Sequence, residues 1–254
     1  MKKKKIIKSL INIGKYEYFI AELLSLATNK QSSYVCISNV HMTIEAYNDK
    51  KFENIVNNAN ITTPDGMPLA KAIKYLYRIK QDRVAGMDLT SDIMRESEKN
   101  NFSIFVYGLS NETLSIFINK ARKEFPKLNI QSYSPPFKEL NPNEKEYISN
   151  KINNFNPNFV FVALGCPKQE KWMAEHKGKI DSCMIGLGGA LEVYAGVKNR
   201  APQWMQNNSL EWLYRLIQDP KRLWKRYLYT NTLFIVLFIK QFIKEKLKIK
   251  KKDV

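Results

Sequence analysis

The chain has 254 residues, of which 44% are hydrophobic, and its formal net charge is +17. This length is enough for one α/β domain with a smaller appendage, and the apolar content excludes a globally disordered chain. Its three scattered cysteines and two histidines argue against a disulfide scaffold and a structural zinc site, and they fit a reducing cytoplasm.

The positive charge is concentrated at the two ends of the chain. Residues 1–15 contain six lysines and no acidic residue, and residues 215–254 contain twelve Lys or Arg residues against three acidic ones. The residues between them are nearly neutral. We therefore expect the ends, and not the body of the domain, to meet a polyanion.

Neither end is predicted to be a secretion signal or a membrane span. The N-terminal apolar segment, residues 6–13, is short, contains Lys8 and lacks a small-residue cleavage site. The longest uninterrupted apolar run, residues 233–239, is much shorter than the roughly 20 residues of a spanning helix. We expect that run to lie on a bilayer surface and not to cross it.

Short β-branched segments alternate with longer amphipathic segments through the middle of the chain. The predicted strands are residues 34–37, 103–107, 129–133, 159–164 and 182–185. The predicted helices lie near residues 51–59, 67–79, 88–100, 111–125, 142–154 and 167–177. This alternation predicts an α/β fold, with a mostly parallel sheet and helices on both faces. The ligand site of such a sheet lies outside the carboxyl ends of its strands.

Local signals place some of the boundaries. Asn141 is a predicted N-cap with Pro142 at the first helical position, and Pro167 opens the following helix. From Ser209 the chain reads as consecutive helices with a break at Pro220. We predict a main domain over residues 1–200 and a basic, amphipathic helical appendage over residues 201–254.

Asp65 lies in a rigid turn ahead of a predicted helix. Pro64 and Pro68 hold φ near −65°, and Gly66 tolerates conformations that other residues avoid, so the turn fixes where the carboxylate points. On local sequence alone, an aspartate in a Pro-Asp-Gly turn more often caps its own backbone. The alternative is a general base that takes a proton from a hydroxyl group.

Residues 186–191 resemble part of a dinucleotide-binding fingerprint. They supply the first two glycines of G-x-G-x-x-G, but Leu191 occupies the last position and the segment comes late in the chain. A nicotinamide-dependent enzyme is therefore disfavoured. Gly188 and Gly189 still permit backbone N–H groups to approach a diphosphate closely.

The sequence contains no Asp-x-Asp segment and no run of carboxylates that resembles a magnesium site. We therefore expect no metal cofactor, and we expect arginines and backbone amides to stabilise an anionic leaving group. The candidate cations are Arg83 and Arg200, together with Arg215, Arg222 and Lys225 or Arg226 from the appendage.

Three ordered blocks carry a resemblance to a known family: T-P-D-G-M-P at residues 63–68, G-C-P-K-Q-E at 165–170 and E-W-L-Y-R-L at 211–216. The chain resembles the WecG/TagA/CpsF family of bacterial glycosyltransferases. The resemblance implies a Rossmann-like catalytic domain that transfers a hexose, N-acetylmannosamine or a related sugar, with inversion. The implied donor is a UDP-sugar. The implied acceptor is an undecaprenyl-diphosphate-linked sugar at the inner face of the cell membrane, in teichoic acid, capsule or related polysaccharide synthesis.

The same resemblance assigns roles to residues. It makes Asp65 the general base, and Arg83, Arg215 and Arg222 its catalytic partners. It implies a substrate-binding set of Asn39, its neighbour Ser38, Gly165, Gln169, Gly188, Gly189, Glu192 and Arg200. The chain departs from the family pattern at Ile37, where many members have threonine, and at Glu192, where they usually have aspartate.

The C-terminal stretch, residues 224–252, interleaves lysines with aromatic and aliphatic residues. It fits a packed helix, a nucleic-acid arm or a membrane-surface helix. The near-neutral body disfavours nucleic acid as a partner, and the interleaving favours an anionic membrane surface.

Two other functions stay open for the chain as a whole. One is the use of UDP-glucose or UDP-N-acetylmannosaminuronic acid by a member of the same family, and the other is a non-enzymatic basic adaptor. A homo-oligomer is also open, because apolar surface near the appendage could bury in a second copy.

Overall fold

A computed structural model describes residues 1–136 and 138–250, and for residues 248–250 it gives the backbone alone. Its centre is a six-stranded sheet in which every pair of neighbouring strands is parallel, in the order β4–β3–β8–β7–β5–β6. These strands are β3 (Ser33–Ser38), β4 (Ile61–Pro64), β5 (Ser103–Gly108), β6 (Asn129–Tyr133), β7 (Phe159–Ala163) and β8 (Cys183–Gly186). The mostly parallel sheet predicted from the sequence is confirmed.

Helices cover both faces of this sheet. They are α1 (Tyr16–Thr28), α2 (Val40–Asn48), α3 (Lys50–Asn57), α4 (Met67–Tyr77), α5 (Gly86–Lys99), α6 (Asn111–Glu124), α7 (Pro142–Phe155), α8 (Lys168–His176) and α9 (Gly189–Ala195). Three more follow along the chain: α10 (Gln203–Asn207), α11 (Glu211–Gln218) and α12 (Pro220–Lys250). The predicted cap at Asn141 is confirmed, because its side chain accepts from the Glu144 backbone N–H and Glu144 accepts in return.

The strands divide their side chains between two hydrophobic cores. In β5, Ile104 and Val106 pack with α1, α5, α6 and α9, whereas Phe105 and Tyr107 pack with α2, α3, α7 and α8. This alternation follows from the two-residue repeat of a strand. Because both faces are buried, the strands are apolar throughout, as parallel sheets require.

A third core joins the two ends of the chain. Four of the six N-terminal lysines belong to an antiparallel hairpin of β1 (Lys3–Ile6) and β2 (Ser9–Asn12). Ile6 and Ile11 of this hairpin pack with residues of α2 and α4 and with Phe234 of α12. Gln241 of α12 accepts from the Ile7 backbone N–H at 2.7 Å and donates to the Lys5 carbonyl at 2.9 Å. The region beyond residue 200 therefore packs on the main domain, and the predicted domain boundary stays a prediction.

Sequence patterns missed the hairpin, β4 and the helices α1, α2, α9 and α10. The hairpin reads as a basic tail, yet Lys3 and Lys8 donate to main-chain carbonyls of Ala59 and Tyr47. Among the described residues, none of the helices is long and apolar enough to cross a membrane.

We expect Phe234→Ala to lower the free energy of unfolding by about 3 kcal/mol, because it opens a cavity between α12 and the hairpin. Denaturant unfolding followed by circular dichroism measures this. Ile243→Ala, an exposed position on the same helix, serves as the control and should change stability by no more than about 0.5 kcal/mol. Equal effects of the two substitutions would mean that α12 does not depend on this core.

Candidate active site

A cleft of about 1620 Å³ lies at the carboxyl ends of the sheet strands. Its walls come from the loops that follow β3, β4, β5, β7 and β8, and from α11 and the first turns of α12. One small ligand typically occupies a pocket of about 300–1,000 Å³. The cleft therefore has room for two substrates at once.

Asp65 lies in this cleft, directly after β4. Its backbone N–H donates to the Ser38 carbonyl at 2.8 Å, which ties the turn to the neighbouring strand. Gly66, at φ +90°, then turns the chain into α4. Burial raises the pKa of the Asp65 carboxyl to about 7; Glu211 adds to the increase, and Arg215 and Arg83 oppose it. A carboxyl with this pKa is suited to accept a proton near neutral pH.

Arg83 and Arg200 belong to one hydrogen-bonded cluster beside Asp65. Arg83 donates to Glu211 at 3.0 Å, to Asp88 at 3.2 Å and to the Gln206 side-chain oxygen at 2.9 Å. Arg200 donates to Asp88 and to the same Gln206 oxygen. The cluster brings an arginine of the main domain into contact with residues from beyond position 200.

The appendage arginines Arg215 and Arg222 also line the cleft. Arg215 donates to Glu211 at 2.7 Å. Burial opposes its charge, but the carboxylates of Glu211 and Asp65 outweigh this effect and raise the pKa of Arg215. Arg222 pairs with Asp219, one turn earlier, and its side chain is 60% exposed. The structure therefore brings Arg215 close to Asp65 and leaves Arg222 nearer to solvent.

Ser38, the last residue of β3, and Asn39, which follows it, have different environments. Asn39 lines the cleft and caps α2, because its side-chain oxygen accepts from the Met42 backbone N–H at 3.1 Å. Ser38 is fully buried and does not line the cleft, and its hydroxyl has no hydrogen-bond partner in the described part of the chain. A direct contact of Ser38 with substrate, as expected from the sequence, would require this strand end to move.

Gln169 connects two glycine loops at the floor of the cleft. Its side-chain oxygen accepts from the Gly165 backbone N–H at 3.2 Å, and its amide donates to the Gly186 carbonyl at 3.0 Å and to Glu170 at 2.7 Å. Gln169 and Glu170 are both buried. The side-chain oxygen and nitrogen of Gln169 therefore both bond to the protein, and these bonds fix the shape of the cleft. That Gln169 donates a hydrogen bond to a substrate stays a prediction.

The loop after β8 also forms part of the wall. Gly188 has φ +51° and opens α9 together with Gly189. Glu192, the position at which the family pattern usually has aspartate, pairs with Lys198, and both side chains line the cleft. A nucleotide that used the Glu192 carboxylate would have to compete with Lys198.

Sequence reasoning missed the partners of the arginines, namely Asp88, Gln206 and Glu211. Glu211 belongs to the E-W-L-Y-R-L block and Asp88 follows Arg83 by five residues, but no local pattern shows that they meet. His41 also lines the cleft, where burial and the nearby Arg226 lower its pKa to about 4. It is neutral at physiological pH.

Within residues 1–136 and 138–250, no group of three or more His, Cys, Asp or Glu side chains is placed to hold a metal ion. Independence from a metal cofactor stays a prediction from the sequence.

A buried carboxyl set among arginines, in a large cleft at the carboxyl edge of a parallel α/β sheet, is typical of the active site of an enzyme that acts on anionic substrates. The chain belongs to the WecG/TagA/CpsF family of glycosyl transferases, whose family model matches residues 4–248.

Known relatives are similar to the chain over most of its length. It is 31% identical over 200 residues to the N-acetylglucosaminyldiphosphoundecaprenol N-acetyl-beta-D-mannosaminyltransferase of Bacillus subtilis (strain 168), which covers 78% of this chain and 76% of that protein. A protein of the same name from Staphylococcus aureus (strain MW2) is 29% identical over 219 residues, covering 86% of this chain and 82% of its own length.

We expect Gln169→Leu to destabilise the protein. The Gly165 N–H, the Gly186 carbonyl and the Glu170 carboxylate would each lose a hydrogen bond around this buried side chain. Each unpaired group costs about 1–3 kcal/mol. Urea unfolding measures the loss, and Gln131→Leu, at an exposed position on β6, is the matched control. Stability equal to that of the control would show that the loops hold their shape without Gln169.

Proposed function

We propose that this chain transfers N-acetylmannosamine from UDP-N-acetylmannosamine to undecaprenyl-diphosphate-linked N-acetylglucosamine. Two relatives whose lengths it largely covers have the acceptor and the transferred sugar in their printed names. The observation that carries the proposal is the position of Asp65, a carboxyl with a pKa near 7 that faces a cleft lined by arginines.

In the proposed reaction, Asp65 takes the proton of the acceptor hydroxyl while that oxygen attacks the anomeric carbon of the donor sugar. UDP leaves from the opposite face, so a single displacement inverts the anomeric centre and gives a β-linked product. Asp65 suits this role, because its pKa near 7 leaves a large share of it ionised at neutral pH and still basic enough to hold the proton.

The leaving diphosphate acquires negative charge as the glycosidic bond breaks. Arg83, Arg200 and Arg215 line the cleft and can stabilise that charge by charge-assisted hydrogen bonds, with Arg222 closer to solvent. Guanidinium groups are charged at every physiological pH, so they can serve in place of a divalent metal. We propose that no metal cofactor is needed.

The acceptor is held in a membrane, and we propose that α12 docks on the anionic inner face of the cell membrane. Its inner side packs on the main domain through Phe234. Its other side exposes large apolar residues at helical spacing: Trp224, Leu228, Ile235, Ile239 and Ile243. Lysines interleave with them, and a helix of this kind binds anionic headgroups while its apolar residues enter the acyl boundary.

We expect Asp65→Asn to fold normally and to lose turnover by about 10²–10⁴-fold, the usual contribution of a general base. Turnover is measured by mass spectrometry of the lipid-linked product. The measurement is made with and without EDTA, and we expect EDTA to have no effect.

The wild-type rate should rise as the pH is raised through about 7, because the base works only when it is deprotonated.

The exposed residue Asp181 provides the control substitution Asp181→Asn, which should keep the wild-type rate. A near-normal rate for Asp65→Asn would return Asp65 to a structural role in its turn. A rate lost in EDTA and restored by magnesium would contradict the metal-free proposal.

We expect the double variant Ile235→Glu/Ile239→Glu to bind phosphatidylglycerol vesicles at least tenfold more weakly, because each charge must enter the apolar boundary. Co-sedimentation measures this binding. Turnover with the full lipid acceptor should fall in parallel, and turnover with a short-chain, water-soluble acceptor should not. Ile116→Glu, on the exposed side of α6, is the control. Equal vesicle binding by both variants would show that α12 does not dock on the membrane.

A further inference from the structure

Glu211, the first residue of α11, joins two arginines that come from different parts of the chain. One carboxylate oxygen accepts from Arg83 at 3.0 Å, and the other accepts from Arg215 at 2.7 Å. The side chains of Arg83 and Glu211 are 13% and 17% exposed, so this ion pair is largely removed from water. A carboxylate held from both sides in this way has little freedom to move.

Asp65 is a competing partner for the same arginines. The charged groups that act on it are Glu211 and Arg215 from α11, Arg83 from the loop before α5, and Asp88 from α5. In the described part of the chain, the ion pairs of Arg83 and Arg215 run to Glu211 and Asp88 and none runs to Asp65. Paired arginine and carboxylate groups bind strongly when partly desolvated.

Without Glu211, Arg215 would lose its carboxylate partner. Among the described residues, Arg83 would keep only the Asp88 carboxylate, which it shares with Arg200. Arg83 and Arg215 would then be available to pair with Asp65. A salt bridge to Asp65 would cover its oxygen atoms and make it a weaker base, because a nearby positive charge stabilises the ionised form. Asp88 cannot replace Glu211 for both arginines, because it already bonds Arg83 and Arg200.

We infer that Glu211 is a positioning residue that holds Arg83 and Arg215 beside Asp65 but away from its carboxylate, which leaves Asp65 free to take the acceptor proton. The inference rests on the proposed function, in which Asp65 is the base. It also accounts for the place of Glu211 at the start of α11, one helical turn before Arg215, where it fixes that helix to Arg83 of the main domain.

The test compares wild type with Glu211→Gln, which keeps the shape and removes the charge. Carboxyl ¹³C NMR follows the titration of Asp65 in the full-length protein, and the signal is assigned by its loss in Asp65→Asn. We expect the midpoint of Asp65 to fall in Glu211→Gln, and the rising limb of the pH–rate profile to move to lower pH. The maximal rate should fall by about tenfold, a fraction of the contribution of a general base.

Two further variants make the result specific. Glu211→Asp keeps the charge, so its Asp65 midpoint should stay closer to wild type than to Glu211→Gln. Arg215→Gln removes a positive neighbour and should raise the midpoint, the opposite direction, even if Glu211→Gln fails to fold. Glu96→Gln, in an exposed ion pair with Lys99 on α5, is the control and should change neither midpoint nor rate.

An unchanged Asp65 midpoint in folded Glu211→Gln would overturn the inference, and so would shifts of the same sign in Glu211→Gln and Arg215→Gln. The NMR titration needs no turnover. If the wild-type protein shows no transferase activity, the proposed function fails, and the titration still decides whether Glu211 controls the charge state of Asp65.

Discussion

The half-buried arginine cluster at the cleft is the constraint on which the rest of the site depends. A guanidinium cannot lose its charge, so Arg83, at 13% side-chain exposure, must have anionic partners within the protein. It finds Asp88 on its own domain and Glu211 on α11. Burying such pairs contributes little net stability, because desolvation offsets the attraction. The pairs instead fix the positions of the groups. The bond from Arg83 to Glu211 holds α11, and with it Arg215, next to Asp65.

The long helix α12 makes a second connection to the same site. It packs on α2 and α4 and, through Phe234, on the N-terminal hairpin. Asn39 caps the start of α2, and α4 begins directly after Asp65 and Gly66. The helices that support α12 thus begin at two of the proposed site residues. The inner side of α12 thus completes a core that it shares with the hairpin, α2 and α4, although its composition differs from that of the main domain.

Local patterns predicted the parts of this structure that local forces determine. Strands β3 and β5 to β8 were predicted to within one residue at each end. Four of them, β3, β5, β7 and β8, are short buried runs of mainly apolar residues. The edge strand β4 was missed, since it has four residues and ends in Pro64, which only an edge or a strand end tolerates. The loops that follow the strands were predicted to form the ligand site, because a parallel sheet brings the carboxyl ends of its strands together at one edge. Glu211 and Gln206 were missed, because their contacts with Arg83 span more than 120 residues of sequence.

The same long-range packing explains how one protein can serve a donor in water and an acceptor in lipid, under the proposed function. Arg222 and Arg226 of α12 line the cleft, while Leu228 and Ile235 of the same helix are exposed. The helix has 31 residues and is therefore about 46 Å long, more than a bilayer core is thick, yet its interleaved lysines disfavour burial across that core. Lying flat, it would set the cleft at the level of the headgroups. The sugar hydroxyl of the acceptor could then reach Asp65 while the lipid chain stays in the bilayer, and the packing of α12 on α2 and α4 would keep that height constant.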